Sequence, residues 1–215
     1  MPTQKKSLLA FPLPGKSPLL DYQSEGFLEM DLSKQCPIPM RGQGHPGAFA
    51  HERANHTHEG VDLYGEEGDA VVAMFDGTVV FNGPFTGPEA GSDWWLPTSA
   101  IAIEGEHGVL FHGEINALPL AVGSLVTAGD LLGTVSRVLR KDKGRPLHML
   151  HLELYERGIH ESIGIWPAGS ARPAGLIDPT ALVLAAAGIE PPADLPFDPT
   201  QPADHFTSAQ QRKPK

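Results

Sequence analysis

Glycine and proline occur so densely in this chain that they limit it to short segments of regular structure. The 215 residues include 24 glycines and 21 prolines, about a fifth of the chain and more than average usage. Long helical periodicity is absent outside residues 181–187, and the apolar runs between the glycines have strand length. The sequence therefore predicts a mainly β fold, a compact antiparallel sheet or barrel, with one short C-terminal helix.

Composition and charge exclude several classes of protein. Apolar residues make up 40% of the chain, enough for a core, and the net charge of −10 disfavours nucleic acid as a partner. The single cysteine, Cys36, excludes an internal disulfide framework and a cysteine-based zinc site. No apolar run approaches the roughly 18 residues of a membrane span, and the N-terminus does not resemble a secretory signal. We therefore expect synthesis in the cytoplasm and, for any export, a non-standard route.

The pattern of prolines and charges divides the chain into three parts. Residues 1–35 are predicted to form an extended lead-in, residues 36–188 the folded domain, and residues 189–215 a mobile tail rich in proline and charge. Within the domain, Asp178-Pro-Thr180 is typical of a helix start and precedes the helical residues 181–187.

Two hairpins are predicted from short apolar runs separated by turn residues. Asp76-Gly77 lies between the runs 70–75 and 78–81, and a tight turn at residues 105–108 separates 99–104 from 109–115. We expect each pair of runs to be neighbouring antiparallel strands.

The segment from His148 to Tyr155 has the alternation of a strand with one face in the core. Leu150, Leu152 and Leu154 would face the interior, while Met149, His151 and Glu153 share the other face. A histidine and a carboxylate beside apolar neighbours need partners or a metal.

A second histidine and a carboxylate upstream complete a set of metal ligands. His58 precedes Asp62 by four residues, and Gly60 between them permits a sharp backbone turn. Together with His151 they offer two imidazoles and one carboxylate, a set that suits Zn²⁺ with a fourth position open to water.

Two loops are candidates for the walls of a site. The long loop 82–98 contains Trp94 and Trp95, which suit a groove wall, although packing onto the domain's own core is the alternative. The loop 137–146 carries five basic residues, and we expect a solvated loop, with an anionic ligand as the alternative.

The sequence also resembles a known family. His58-Glu-Gly-Val-Asp62-Leu is similar to the first signature of the lysostaphin-type, or LytM-like, zinc endopeptidases, and Met149-Leu-His151-Leu-Glu153 resembles their His-x-His-x-Glu strand. Segments 69–80, 122–133 and 178–182 extend the likeness in order, over roughly residues 55 to 185. The resemblance implies a small, mostly antiparallel β domain with a groove over one Zn²⁺ ion. It also implies the ligands His58, Asp62 and His151, and peptide bonds of bacterial cell-wall peptidoglycan as the substrate.

This sequence departs from the family at two helper histidines, which assist water activation and stabilise the oxyanion. Met149 and Glu114 stand in their places, and the change resembles a variant subset with Gly-Glu-Ile and Met-Leu-His. By strand alternation His112 and Glu114 share a face, so Glu114 could act as general base and His112 as oxyanion donor. His148 is a less favoured substitute because a regular strand aims it at the opposite face unless a bulge intervenes.

Two functions remain open at this point. The first is a zinc endopeptidase acting on peptidoglycan, with Trp94, Trp95, His148, Met149 and Glu153 as candidate groove residues. The second is a degenerate domain that keeps zinc and binds cell-wall or protein ligands without cleavage, since the thioether of Met149 cannot serve as a base. A third possibility is a carrier module, because the segment from Gly123 to Gly133 resembles lipoyl-type hairpins. It is disfavoured because such carriers need a lysine at the hairpin tip and none stands there. The expected partners of this protein are peptidoglycan or another peptide substrate, together with delivery machinery or a cognate inhibitor.

Overall fold

Strands make up most of the regular structure. The computed structural model describes residues 8–22, 30–41, 44–54, 56–88, 93–142 and 146–191. The strands, in order, are β1 (Ser17–Asp21), β2 (Gln35–Pro39), β3 (His56–Thr57), β4 (Val61–Tyr64), β5 (Ala70–Val72), β6 (Gly77–Pro84), β7 (Ser99–Gly105), β8 (Gly108–Ala117), β9 (Leu125–Val126), β10 (Leu131–Val135), β11 (Met149–Tyr155), β12 (Trp166–Pro167) and β13 (Leu176–Ile177), followed by helix α1 (Thr180–Ala186).

One large antiparallel sheet carries the fold. Its main path runs β13-β11-β8-β7-β6-β9, with β4 beside β11 and with β10 pairing both β8 and β5. Two small sheets, β1-β2 and β12-β3, flank it. The prediction of a mainly β, antiparallel domain with one short helix is confirmed, and over the described residues the sheet stays open and does not close into a barrel.

Strand β11 lies at the centre of the functional part of the sheet. Its residues His151 to Tyr155 pair with β8, and on its other side residues Met149 to Leu152 pair with β4. Leu150 and Leu152 are fully buried in the core, as the alternation predicts. Because β4 and β8 lie on either side of β11, residues of all three strands come together around His151.

The two predicted hairpins have different outcomes. β7 and β8 form the expected hairpin, closing at Gly105 and Gly108. The other prediction is wrong, because β5 pairs with β10 while β6 pairs with β7 and β9. The Asp76 carboxylate instead accepts a hydrogen bond from the Ala128 backbone N–H at 2.8 Å. Asp76-Gly77 thus connects β5 to β6 without making them paired strands of a hairpin.

The N-terminal segment packs onto the domain. β1 pairs with β2 in parallel, from Ser17 opposite Gln35 to Asp21 opposite Pro39, and Leu13 is fully buried. The predicted boundary at residue 35 therefore falls within a strand pairing. Of the predicted tail, residues 192–215 lie outside the described residues.

Apolar side chains from both ends of the chain share one core. The cluster includes Leu13, residues of β2, β4, β7, β8 and β11, and Leu184 of α1. Helix α1 begins where the Asp178 carboxylate accepts a hydrogen bond from the Thr180 backbone N–H at 2.9 Å, which satisfies an otherwise unpaired donor. Within the described part, no helix is both long and apolar enough to cross a membrane.

Candidate metal centre and cleft

The three predicted metal ligands converge on one point. His58 follows β3, Asp62 lies on β4, and the strand register places Asp62 directly opposite His151 on β11. His58 Nε2 lies 3.1 Å from Asp62 Oδ1 and 3.3 Å from His151 Nδ1, and His151 Nδ1 lies 2.8 Å from Asp62 Oδ1. All three residues are buried. The sheet thus brings together side chains that are up to 93 positions apart in the sequence.

Each ligand is oriented by a partner on its far side. His58 Nδ1 lies 2.9 Å from the Ala48 carbonyl, and His151 Nε2 lies 3.0 Å from Glu153 Oε1. Arg53 Nη2 donates to Asp62 Oδ2 at 3.2 Å. In the tautomers that donate to these partners, the other ring nitrogens, His58 Nε2 and His151 Nδ1, are available to bind a metal ion.

This arrangement fits a tetrahedral metal ion. Zn–N and Zn–O bonds of about 2.0–2.1 Å separate neighbouring ligand atoms by about 3.3 Å, close to the distances between the three donor atoms here. Three converging acceptors repel one another unless a cation lies between them. In the metal-free protein a proton takes that place. Burial alone would lower the pKa of His151, but hydrogen bonds to Asp62 and Glu153 outweigh it and raise the pKa well above its ordinary value.

Gly60 is needed for space rather than for a turn. Its φ is not positive, so the sharp turn expected between the ligands is not what requires glycine here. A Cβ at this position would lie 2.3 Å from the Leu152 carbonyl oxygen and 2.8 Å from two atoms of the His151 ring. Any side chain would therefore displace the ligand itself.

A β-bulge in β8 separates the two predicted catalytic residues. Gly113 and Glu114 lie between His112, which pairs with Ile101, and Ile115, which pairs with Ser99, so two residues oppose Ala100 alone. Glu114 has a φ of +63°, the left-handed region that non-glycine residues seldom adopt. The bulge breaks the alternation on which the shared face of His112 and Glu114 depended.

His112 lies in the core, away from the metal centre. It pairs with Leu152 of β11, whose side chain faces the interior, and is fully buried. Burial lowers its pKa to about 4, against an opposing effect of backbone groups at Ile101 and Leu110. The structure therefore does not bring the predicted oxyanion donor to the site.

Glu114, by contrast, lines the cleft above the ligands. It is about nine-tenths buried, and among the described residues its Oε2 atom has no hydrogen-bond partner. Burial raises the pKa of this carboxyl to about 8, opposed by the positive charge of His151. A buried and unpartnered carboxylate oxygen is costly and is typical of a functional position.

The cleft over the metal centre has a volume of about 700 Å³. Trp95, Met149 and Glu153 line it, as do Phe85 and Phe111. Phe85 packs against His151, with ring centroids 5.7 Å apart, in space that exists because residue 113 is glycine.

Two predicted groove residues lie outside the cleft lining. Trp94 is 44% exposed, and the ammonium of Lys141 lies 4.7 Å from its ring centroid. His148 is bridged to Arg137 and lies 3.7 Å from the Glu67 carboxylate. Trp94 is thus neither a groove wall nor a core residue. The basic positions 143 and 145 lie outside the described residues.

The sequence indicated one of the three groups that hold the ligands. Glu153, which was predicted to share a strand face with His151, orients that ring and is itself held by the Tyr155 hydroxyl, which donates at 2.6 Å. Sequence reasoning missed Arg53 and the Ala48 carbonyl, which fix the other two ligands. The carbonyl could not have been identified, since every residue carries one.

A comparison with protein families decides the assignment. The sequence model of Peptidase family M23 matches residues 56–162, about half of the chain, and that stretch contains all three candidate ligands. The chain belongs to peptidase family M23.

Solved structures of peptidases match the chain at low identity. A candidate glycyl-glycine endopeptidase LytM from Ruminococcus gnavus matches at 21% identity and a TM-score of 0.45, over 85% of this chain and 61% of that one. The antimicrobial peptidase lysostaphin from Staphylococcus simulans matches at 17% identity and a TM-score of 0.43, over 70% and 50%. A zinc-containing peptidase from Vibrio cholerae matches at 21% identity and 0.34, over 45% and 26%. The M23 chain thus spans less than two thirds of each of these proteins. No curated protein matches its sequence significantly.

Proposed function

We propose that this M23 chain is a zinc-dependent endopeptidase that cleaves peptide bonds of bacterial cell-wall peptidoglycan. The observation that carries the proposal is the convergence of His58 Nε2, Asp62 Oδ1 and His151 Nδ1 within 3.3 Å of one another at the cleft. Membership of a metallopeptidase family supports it.

The protein's own groups hold and orient the centre. His58, Asp62 and His151 would bind the ion, and the Ala48 carbonyl and Glu153 keep the two imidazoles in the tautomers that binding requires. When bound, Zn²⁺ supplies Lewis-acid polarisation of a peptide carbonyl and makes hydroxide available at a pKa of about 7.

Glu114 is the group placed to move the proton. Its Oε2 atom, without a partner among the described residues, would accept a proton from the attacking water. Burial raises the pKa of this carboxyl to about 8 in the metal-free protein, and the positive charge of a bound ion would favour the ionised form that a base requires. Once protonated, Glu114 would pass the proton to the leaving amine. Phe85 and Phe111 form an apolar part of the cleft wall.

Binding without cleavage is the second candidate, and one observation favours it. Met149 lines the cleft at a position where the family has a helper histidine, and a thioether can neither accept a proton at neutral pH nor donate to an oxyanion. In that case the centre holds Zn²⁺ and the cleft binds a cell-wall or protein ligand that stays intact.

Digestion of purified peptidoglycan fragments by the zinc-loaded protein, followed by mass spectrometry, separates the two. We expect cleaved products from the wild type and none from His58→Ala, which lacks one ligand. The mass of the products identifies the bond. Fragments that bind the zinc-loaded protein and remain intact at every pH tested would instead establish the second candidate.

A further inference from the structure

Three successive backbone carbonyls beside the metal centre each hold one part of it. We name residues Pro46–Ala48 the carbonyl shelf. The Pro46 carbonyl accepts from Arg53 Nη2 at 3.0 Å, and the same nitrogen donates to Asp62 Oδ2. The next two carbonyls accept from the Asp62 backbone N–H and from His58 Nδ1, each at 2.9 Å. The position of the shelf therefore sets the orientation of two of the three ligands.

The carbonyl shelf packs closely against the metal centre. A Cβ on Gly47 would lie 3.1 Å from the Asp62 Cβ and 3.0 Å from the Tyr64 ring. In the direction in which a side chain would project from Gly47, the space is thus filled by Asp62, Tyr64 and Pro39. An interaction that fixes the shelf consequently fixes the ligand geometry.

A buried His–Asp pair fixes the shelf from behind. The Gly47 backbone N–H donates to His45 Nδ1 at 3.0 Å, so His45 Nε2 carries the ring proton and faces Asp21 Oδ2 at 3.3 Å. His45 is fully buried and Asp21 is 2% exposed. In so dry a setting the two groups hold one fixed arrangement.

Asp21 lies far from the ligands along the chain. It is the last residue of β1 and is outside the family match at residues 56–162. Its backbone carbonyl accepts from the Met40 N–H at 2.8 Å, which ties this end of β1 to β2. A contact path therefore runs from the N-terminal segment through His45 and the shelf to His58 and Asp62.

We propose that Asp21 and His45 are positioning residues for the metal centre, acting through the carbonyl shelf. The proposal rests on the proposed function in that the centre binds Zn²⁺, but it does not require cleavage. By holding the shelf, the pair keeps the His58 tautomer and the Asp62 carboxylate in place before the ion arrives. Partners of this kind change metal affinity by about 10- to 100-fold when they are removed.

The affinity of Asp21→Ala for Zn²⁺, measured by competition with a chromophoric chelator, tests the proposal. We expect a loss of about tenfold, the lower end of that range, because Asp21 acts through two intermediates. Asp21→Asn retains an acceptor for His45 Nε2–H and should stay within about threefold of the wild type.

Lys16→Met is the matched control. Lys16 also ties the N-terminal segment to the domain, through Asp69 Oδ2 at 2.8 Å, but among the described residues it makes no hydrogen bond or ion pair with the shelf. We expect this variant to keep wild-type Zn²⁺ affinity even though its unfolding midpoint in chelator falls. An equal loss of affinity in Lys16→Met and Asp21→Ala would overturn the proposal, because it would show that docking of the segment in general is what matters.

A second variant keeps the test informative if Asp21→Ala does not fold. Asp21→Leu combined with His45→Phe removes both members of the polar pair together, and the Gly47 N–H loses its acceptor. It too should lose about tenfold in Zn²⁺ affinity, and unchanged affinity in a folded double variant overturns the proposal. Zinc binding without hydrolysis in the wild type would end the proposed peptidase function while leaving this measurement intact. A wild type that binds no Zn²⁺ overturns both.

Discussion

At the scale of the residue, the unusual backbone of Glu114 decides which side chain reaches the ligands. A φ of +63° in a non-glycine residue is strained and is typical of functional positions. Alternation alone would give His112 and Glu114 the same face, whereas the bulge puts His112 in the core and Glu114 in the cleft. A conservative substitution of Glu114 is therefore the most direct test of the proposed chemistry.

Glu114→Gln should reduce hydrolysis by at least about 100-fold, the lower range for loss of a general base. Zn²⁺ content should stay at the wild-type level, because residue 114 is not a ligand. Activity on peptidoglycan fragments and metal content measured on the same sample check both expectations. Glu104→Gln, near the hairpin end of β7 and outside the cleft lining, is the control that should keep full activity. If Glu114→Gln still cleaves at the wild-type rate, the proton is accepted elsewhere.

The same substitution should change how stability depends on pH in the metal-free protein. The pKa of Glu114 rises from an ordinary 4.5 to about 8 on folding, so between these values the folded chain binds more protons than the unfolded chain. Its contribution to stability is therefore full below pH 4.5 and is lost as the pH rises toward 8. Denaturant unfolding in chelator should show Glu114→Gln gaining on the wild type by roughly 1 kcal/mol per pH unit between pH 5 and 7. Parallel curves for the two proteins would contradict the raised pKa.

At the scale of the element, close contact between β11 and the segment before β4 is what brings the ligands within bonding distance of one ion. At Gly60 the Leu152 carbonyl and the His151 ring occupy the space that a Cβ would need. A backbone carbonyl cannot move aside as a flexible side chain can. Strand separation here is consequently set by the absence of a single side chain.

Gly60→Ala should weaken Zn²⁺ binding and lower the free energy of unfolding by about 1–3 kcal/mol, the usual cost of overpacking. Gly83→Ala is the matched control, since its Cβ would meet only the Phe81 ring, at 3.2 Å, and its φ is not positive. Chelator competition and denaturant unfolding measure the two effects. Equal behaviour of the two variants would show that the space around Gly60 does not limit the site.

At the scale of the whole molecule, the ion would link parts of the fold that are otherwise held by separate contacts. Asp62 and His151 lie on neighbouring strands of the large sheet, whereas His58 follows a strand of a small sheet. Strands β5 to β10 lie between Asp62 and His151 in the sequence. A ligand that binds the folded chain and not the unfolded one stabilises the whole domain by mass action.

Addition of Zn²⁺ should therefore raise the unfolding midpoint, and a chelator should reverse the change. At a free concentration 100 times the dissociation constant, the stabilisation is about 2.7 kcal/mol. Thermal unfolding across a series of Zn²⁺ concentrations gives the measurement. His58→Ala should show a much smaller shift, and an equal shift in that variant would place the ion at another site.

The sequence by itself determined the fold class, the strand identity of β11 and the three residues that the structure brings together. These follow from local rules, because alternation places His151 on a polar face and the spacing of glycines and prolines excludes long helices. The motif order was also sufficient to indicate the family to which the chain belongs. The short helix follows in the same way, from the Asp-Pro-Thr start at residue 178.

Only the tertiary structure decided which residues surround the three ligands. The failed hairpin at Asp76-Gly77, the bulge at Glu114 and the burial of His112 each depend on which strands become neighbours, and strand pairing is non-local. The Ala48 carbonyl and the Asp21–His45 pair are invisible to a pattern of side-chain types, since backbone groups carry no sequence signal and residues 21 and 45 are far apart. Local preference thus selects the elements, whereas packing between distant segments fixes the chemistry of the site.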